Sequence, residues 1–520
     1  MKRKSVLALS LALLLCFLSL VACDLTESDT GIAASPNPTV DPTGESSNPT
    51  NEVEDTTAET VTHEDFVFTV KNGEATLTDY IGTDENVTIP ETVDGYPVTA
   101  IGTAAFNKDY TYAPPPSTRR PDGSFIVTLT NPLTSTISVY YSFNEQIKSV
   151  VIPTTVKTIE TGAFYGCMNL TSIEIPASVE KICTDAFFLC KSLIEVRNLS
   201  DLPIEAGSKD YGEIALFAKN VYRDEEDSKL TQDENGYILY TDEEEILLVG
   251  YRGSDIDLTL PHGITAIHQY AFYNNRTIEH VTLPDTVQSI GEKAFYFCAL
   301  LESIPLPDSL TEIGNAAFSN CYTLTAVTIP DSVTEIGKYT FLTCQALKKV
   351  TLSKNLKEID DMAFHDCPAL CELSPLPDTL TRIGASAFSG CKMITSITIP
   401  DSVTEIGNRA FSDCSALESI TLSNQITRIG DFTFFGCALK TVSVPDSVTE
   451  IGNYAFELCR SLETVTFGDS LVKVGAKAFA NCTSLKTAVL PESATDVADD
   501  AFANCPMLDA GYVIPQEWWR

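Results

Sequence analysis

The sequence predicts a repeat solenoid, in which short parallel β-strands stack with about 23 residues per turn. Three observations lead to this fold class. One phenylalanine-containing motif recurs at a nearly constant spacing, each recurrence carries the alternating apolar pattern of a short strand, and no unit has enough apolar residues to form a core alone. Neighbouring units must therefore share one continuous core.

The repeat is marked by the last residue of the motif Ile-Gly-x-x-Ala-Phe. Earlier copies of this marker phenylalanine are Phe106, Phe164 and Phe187. Later in the chain, eight of the ten steps between successive markers are 23 residues, one is 24 and one is 22. These regularly spaced markers are Phe272, Phe295, Phe318, Phe341, Phe364, Phe388, Phe411, Phe434, Phe456, Phe479 and Phe502.

A single unit shows how the turn of the solenoid is built. Val327–Ile329 alternates apolar, polar and apolar residues, which is typical of a half-buried strand. Pro330–Ser332 then forms a turn, and Val333–Ile336 is a second short extended segment. We expect Lys338–Cys344 to form a short helical or 3₁₀ turn before the next unit begins.

The N-terminal 22 residues have the pattern of a secretory signal. Lys2–Lys4 is a basic start, and Val6–Val21 is an apolar run too short to be a spanning helix. The run ends Leu20-Val21-Ala22-Cys23, which resembles the lipobox of bacterial lipoproteins. This resemblance implies that residues 1–22 are removed and that Cys23 is acylated and anchors the chain to a membrane.

Residues 23–63 are predicted to be a disordered acidic tether. Between residues 24 and 62 there is no Lys, no Arg and no aromatic residue, while Thr, Ser, Pro, Asp and Glu are abundant. Such a segment cannot bury enough apolar surface to fold by itself. We expect it to hold the folded part away from the membrane.

The repeats are predicted to form two blocks. The first covers residues 64–195, with a Pro-rich loop inserted at 107–146. A β-hairpin is predicted inside the interruption at 196–250, where Gly236–Tyr240 and Ile246–Val249 flank the acidic run Asp242–Glu245. The second block covers residues 251–505, and residues 506–520, with Trp518 and Trp519, are predicted to cap its end.

The combined pattern Leu-x-x-Val-x-Ile-Pro and Ile-Gly-x-x-Ala-Phe-x-x-Cys resembles the BspA-like leucine-rich-repeat family of bacterial surface proteins. The resemblance covers nearly all of residues 64–505. It implies a right-handed leucine-rich-repeat coil that serves as a cell-surface scaffold, in some members an adhesin. The family has no common catalytic residues, so the resemblance assigns none.

Most cysteines occupy one position of the repeat, three residues after a marker. Stacked strands lie about 4.7–4.9 Å apart with parallel side chains, whereas disulfides prefer Cβ atoms about 3.8 Å apart on converging vectors. At Phe272 the equivalent residue is Asn275, so the position requires a small inward group rather than a sulfur bond. We therefore expect buried free thiols and no metal site at Cys167, Cys190, Cys298, Cys321, Cys344, Cys367, Cys391, Cys414, Cys437, Cys459, Cys482 and Cys505.

Composition excludes several classes of function. The formal charge is −37, from 34 Lys and Arg against 71 Asp and Glu, which argues against nucleic acid as a partner because phosphate contacts need basic residues. No phosphate-binding glycine loop, HExxH or GxSxG motif is present. The carboxylates of Asp224–Asp227 and Asp242–Glu245 are adjacent on predicted loops, without the opposed geometry of a hydrolase pair. The sequence therefore predicts no enzyme activity and no cofactor.

The predicted ligand face is a row of threonines that lie between the two buried residues of successive strands. Stacking aligns them as a stripe of hydroxyl and methyl groups, although β-propensity alone could also favour threonine there. We expect a monomeric, membrane-anchored surface scaffold that adheres to a protein or glycan of a host or neighbouring cell. The alternative is a structural or assembly component of the cell envelope with no external ligand. The predicted face comprises Thr282, Thr328, Thr351, Thr398, Thr421 and Thr466.

Overall fold

A computed structural model describes residues 58–107, 144, 146–243 and 245–508. The predicted signal sequence, the lipidation site Cys23, most of the tether and most of the 107–146 insertion lie outside these residues. So do residues 509–520 of the predicted cap.

The structure confirms the predicted solenoid, with about 17 turns of roughly 23 residues and parallel strands. Most turns contribute one strand to each of two rows, which we call row A and row B. Row A contains the Val-x-Ile strands, and in it Val327 aligns with Val350 and then with Leu373 in the next turns. Row B contains the two-residue strands that precede the repeat glycine, and Ile336 aligns there with Ile359 and Ile383.

The bounds of the row A strands follow the sequence period. In the first block they are Asn86–Thr88, Ser149–Val151, Ser172–Ile175, Glu195–Asn198 and Asn220–Tyr222. In the second block they are Asp257–Thr259, His280–Thr282, Ala326–Thr328, Lys349–Thr351, Glu372–Leu373, Ser396–Thr398, Ser419–Thr421, Thr441–Ser443, Thr464–Thr466 and Thr487–Val489.

Row B runs beside row A along both blocks. Its strands in the first block are Tyr96–Ile101, which also pairs with Thr92–Val93, then Thr158–Ile159 and Lys181–Ile182. In the second block they are Ala266–Ile267, Ser289–Ile290, Glu312–Ile313, Glu335–Ile336, Glu358–Ile359, Arg382–Ile383, Glu405–Ile406, Arg428–Ile429, Glu450–Ile451, Lys473–Val474 and Asp496–Val497. The described residues also include a four-residue helical segment, Asp210–Glu213, and a 3₁₀ turn, Glu225–Asp227.

The third side of each turn is an irregular segment around the marker phenylalanine. Residues two before and two after the marker have positive φ, as at Tyr339 (60°) and Thr343 (56°) around Phe341. The prediction of a helical turn over Lys338–Cys344 was wrong. The left-handed residues turn alternate N–H groups toward the next coil, so Tyr339, Phe341 and Thr343 each donate to a carbonyl one turn later, at 2.8–3.1 Å.

The marker phenylalanines form a continuous buried column. Successive rings from Phe272 to Phe502 are nearly parallel, and their centroids lie between 4.8 and 5.6 Å apart, as for Phe388 and Phe411 at 5.5 Å. The column gives the solenoid an unbroken aromatic centre, which no single turn could provide.

Each block begins with the same three-stranded antiparallel cap. The strands are Glu59–His63, Phe66–Lys71 and Glu74–Tyr80 in the first block, and Leu230–Gln232, Tyr237–Thr241 and Ile246–Tyr251 in the second. The last strand of each cap then pairs in parallel with row B. The first cap begins at Glu59, inside the range predicted as tether.

The two caps agree in detail. The same interval of 171 residues separates Phe66 from Tyr237 and Tyr80 from Tyr251. The pairing register shifts after Val67 in one cap and after Ile238, its equivalent, in the other. The predicted interruption at 196–250 therefore contains the last row A strand of the first block, Asn220–Tyr222, and then the second N-terminal cap.

Each block has its own core. One apolar cluster extends from Phe66 to Ala218 and a second from Tyr237 to Ala501. A small third cluster joins them through Ile194, Ile238, Tyr240, Leu247, Val249 and Ala266.

Candidate functional site

The structure places the six predicted threonines at equivalent positions of row A. Thr328 aligns with Thr351, and Thr398 aligns with Thr421. Five of the six are exposed and Thr351 is half-buried. Thr466 donates to the hydroxyl of Ser443 in the preceding turn, at 3.2 Å, which shows the hydroxyl groups in register. The row is therefore an ordered polar surface.

The C-terminal part of this surface carries a second column of hydroxyl groups. Ser396 and Ser419 align at the first strand position, and Thr441 aligns with Thr464 and Thr487 in later turns. These two columns present donors, acceptors and methyl groups without charge. Such a surface is suited to contacts with neutral polar groups along an extended ligand.

Row B, in contrast, is charged. Glu312, Glu335 and Glu358 occupy the same outward position in successive turns, and burial followed by the charges of neighbouring carboxylates raises the pKa of Glu335. Arg382 follows in the next turn and contacts Glu358, Asp360 (2.8 Å), Asp361 (3.1 Å) and Glu405 (3.5 Å). In the part of the chain that the structure describes, no group of three or more His, Cys, Asp or Glu side chains could hold a metal ion.

The cysteine column has a specific hydrogen-bonding role. The thiol of Cys321 donates to the carbonyl of Phe295, the marker of the preceding turn, at 3.2 Å, and Cys344 donates to Phe318 at 3.2 Å. Burial raises the pKa of Cys344 to about 12. The Cys344 thiol is therefore protonated at neutral pH, and a protonated thiol is a poor nucleophile.

The first turn of each block has asparagine in place of this cysteine. The side-chain oxygen of Asn275 accepts the backbone N–H groups of Thr277 and Ile278, both at 3.0 Å. Asn144 does the same for Gln146 (3.0 Å) and Ile147 (3.1 Å). The first turn of a block has no preceding marker whose carbonyl could accept a hydrogen bond from a thiol. An asparagine, which accepts N–H groups of its own turn, is therefore favoured at this position.

The described residues on either side of the predicted insertion belong to one turn of the first block. The chain departs after Asn107 and re-enters at Asn144, whose side chain donates to the carbonyl of Phe106 at 2.6 Å. The turn is thereby closed around the insertion, and most of the inserted residues lie outside the described part.

The described carboxylates of the 196–250 segment take part in local contacts. Glu225 and its neighbours lie in the 3₁₀ turn, and the Asp242 carboxylate accepts the N–H of Glu245 at 2.9 Å within the hairpin loop. Glu245 also forms an ion pair with Lys219. These contacts belong to the local structure of the segment.

Sequence reasoning missed a cleft at the junction of the two blocks. It is lined by residues of the second cap and by the first turn of the second block, including Arg252, Tyr273 and Arg276. The signal that could have located it is the 171-residue spacing of the two caps, because a second cap implies a break in the stacking of turns.

No helix among the described residues has the length and apolar character needed to cross a bilayer.

The comparisons with known proteins agree with this architecture. The BspA type leucine rich repeat region matches residues 127–204, 265–395 and 381–509, which is more than half of the chain. No curated protein matches the chain.

Several solved structures of leucine-rich-repeat proteins are similar to parts of it. A leucine rich cell surface protein from Faecalibacterium prausnitzii is 25% identical, with 82% of this chain and 93% of that chain covered and a TM-score of 0.35. A leucine-rich repeat protein from Bacteroides ovatus is 24% identical, with 88% and 87% covered and a TM-score of 0.45. One from Eubacterium ventriosum is 18% identical, with 69% and 95% covered and a TM-score of 0.41.

The repeat period, the two rows of parallel strands and the family match over more than half of the sequence lead to one conclusion. The chain belongs to the BspA-type leucine-rich-repeat family.

Proposed function

We propose that this protein is a lipid-anchored cell-surface scaffold that adheres to a protein or glycan of a host or neighbouring cell. The observation that carries the proposal is the ordered, exposed column of threonines on row A, which includes Thr328, Thr398 and Thr421. Repeat solenoids use extended surfaces of this kind to bind ligands through many distributed contacts.

The predicted secretory signal at residues 1–22 supports the proposal of a surface location. The apolar run that ends in Leu20-Val21-Ala22-Cys23 has the pattern of a lipoprotein signal, and the residues that follow have the composition of a tether. A thioether-linked diacyl group on Cys23 would give stable anchoring, because two acyl chains bury enough CH₂ groups to hold a protein on a membrane. Substitution of Cys23 by Ala would release the protein from cells.

Adhesion is tested with the full chain against immobilised matrix proteins and cell-surface polysaccharides. We expect saturable binding that is lost in the double variant Thr398→Lys, Thr421→Lys, since two large charges would interrupt the neutral column. The matched control is Thr381→Lys, Thr404→Lys, which changes two exposed threonines outside row A.

If both double variants lose binding to the same extent, row A is not the binding surface. Absence of binding to every immobilised ligand, together with co-purification with envelope proteins, would instead support the envelope-assembly role.

A further inference from the structure

We infer that the cleft between the two blocks binds a carboxylated sugar residue of a polysaccharide. This inference goes beyond the adhesion role proposed above and rests on different residues, so either can fail without the other. The cleft has a volume of about 330 Å³, which is within the range of small-molecule sites.

The cleft exists because the solenoid restarts at this point. In a continuous stack each side chain covers its equivalent in the next turn, whereas here the second cap intervenes between the blocks. Lys148 from the first block therefore lines the same cleft as Arg252 from the second cap and Arg276 from the first turn of the second block. The guanidinium of Arg252 crosses between the blocks and donates to the carbonyl of Lys148 at 3.3 Å.

The charge of the cleft is opposite to that of the protein. Its charged residues are Lys148, Arg252, Arg276 and Glu85, and the Lys148 ammonium pairs with the Glu85 carboxylate at 2.7 Å. Among the described residues, no carboxylate lies within ion-pair distance of Arg252 or Arg276. Arg252 donates to the side-chain oxygen of Gln232 at 3.3 Å, and Arg276 donates to that of Asn274 at 3.0 Å. Burial lowers the pKa of Arg252, and the charge of Glu85 partly offsets this effect. The charged residues that line the cleft are therefore three cations and one anion, and this excess of positive charge favours an anionic ligand.

The net charge of −37 does not prevent an anion from binding there. Charges separated by more than about 8 Å are largely screened at physiological salt, so the residues of the cleft decide the local field. A guanidinium group also matches the geometry of a carboxylate, to which it can donate two parallel hydrogen bonds.

The remaining lining is suited to a sugar ring. Tyr273 is half-buried and its ring stacks on that of Tyr296, with centroids 5.3 Å apart, which fixes its orientation. A held aromatic face packs well against the apolar face of a sugar. Thr277 is exposed at the edge of the cleft, where its backbone and hydroxyl are already held by Asn275. A uronic acid would thus place its carboxylate near Arg252 and Arg276, its ring against Tyr273 and its hydroxyl groups near Thr277.

The test is calorimetric titration of the full chain with a galacturonic acid tetramer, and in parallel with a neutral galactose tetramer. We expect saturable binding of the acidic oligomer, weakened by added salt, and at least tenfold weaker binding of the neutral one. A hyaluronan oligomer, in which glucuronic acid alternates with N-acetylglucosamine, distinguishes a host-matrix source of the carboxylated sugar from a galacturonan source.

Arg276→Ala is the informative variant because Arg276 is exposed, so we expect its truncation to leave the fold intact. It should weaken binding of the acidic oligomer about tenfold or more, as expected for the loss of charge-assisted hydrogen bonds. Arg460→Ala is the matched control: Arg460 is also exposed, occupies the same position of its turn and lies eight turns away. Tyr273→Ala should also weaken binding, whereas Phe435→Ala, at the equivalent position of a remote turn, should not.

Three results would overturn the inference. These are equal affinity for the acidic and neutral oligomers, no saturable binding of either uronate probe, and unchanged affinity in Arg276→Ala. In each of these cases the row A variants would still report on adhesion separately.

Discussion

At the scale of single residues, each cysteine of the column has two roles, packing and hydrogen bonding. From Cys190 onward, each thiol of the column fills a small inward space and donates to a carbonyl of the preceding turn, as Cys367 does to Phe341 at 3.1 Å. Sequence spacing was enough to predict the inward, repeated position. It could not predict the hydrogen bond, because the acceptor lies one turn away and its direction depends on the left-handed residues of the irregular segment.

Cys367 and Cys371 provide a direct test of the burial of the cysteine column, since they are four residues apart and differ in exposure. Cys371 is exposed, whereas Cys367 is fully buried and burial raises its pKa well above that of a free thiol. In the native full chain a maleimide should label the peptide with Cys371 and leave Cys367 unmodified, which mass spectrometry can measure. In denaturant both should react. Rapid native labelling of Cys367 would contradict the burial of the column.

At the scale of elements, the irregular segment is the part that the sequence predicted least well. Its spacing suggested a helical turn, but alternation of left-handed and right-handed residues instead directs N–H groups to the next coil. Positive φ at non-glycine residues such as Tyr339 and Thr343 costs about 1–3 kcal/mol each. The hydrogen bonds between turns depend on this conformation and offset the cost. Propensity rules describe isolated segments and do not include this interaction.

The phenylalanine column makes a prediction at the same scale. Phe388 is fully buried between two stacked rings, with centroids 5.3 and 5.5 Å away. Phe388→Ala should destabilise the protein by about 3–5 kcal/mol. Phe502→Ala should cost less, because Phe502 is only partly buried and stacks on Phe479 at the end of the column. Chemical denaturation of the two full-length variants compares them, and equal losses would mean that the column is not a cooperative element.

At the scale of the whole molecule, the two caps differ in one informative way. The outward face of the first cap carries Val67, Thr69, Thr76 and Thr78, all half-buried. The equivalent residues of the second cap are Ile238, Tyr240, Leu247 and Val249, which are buried in the junction cluster. The second cap is apolar on both faces because the first block packs against it. The period and the fold class followed from the sequence, but the duplicated cap did not stand out because its residues differ on this face.

This difference predicts the behaviour of the second block alone. A fragment of residues 230–508 retains its cap and core and should fold, but its exposed junction face should cause self-association. The variant Tyr240→Thr, Leu247→Thr, Val249→Thr restores the polar pattern of the first cap and should remain monomeric, as measured by size-exclusion chromatography with light scattering. A fragment of residues 254–508, which lacks the cap, should be less stable than either in thermal unfolding. Equal stability with and without the cap would show that the second cap is dispensable for folding.

The direction of the hydrogen bonds between turns has a consequence for how the molecule is made. In the irregular segments the N–H groups of one turn donate to carbonyl groups of the turn that follows it in sequence, as Phe318 donates to Thr340 and Phe341 to Ala363. When the chain is synthesised from its N-terminus, each folded turn therefore exposes N–H donors. The next turn to be synthesised supplies the carbonyl groups that accept from them. Folding can then proceed turn by turn behind the point of emergence, with each cap acting as the seed for its own block. Assembly of this kind is vectorial, and it never requires a distant C-terminal segment before the earlier turns can close.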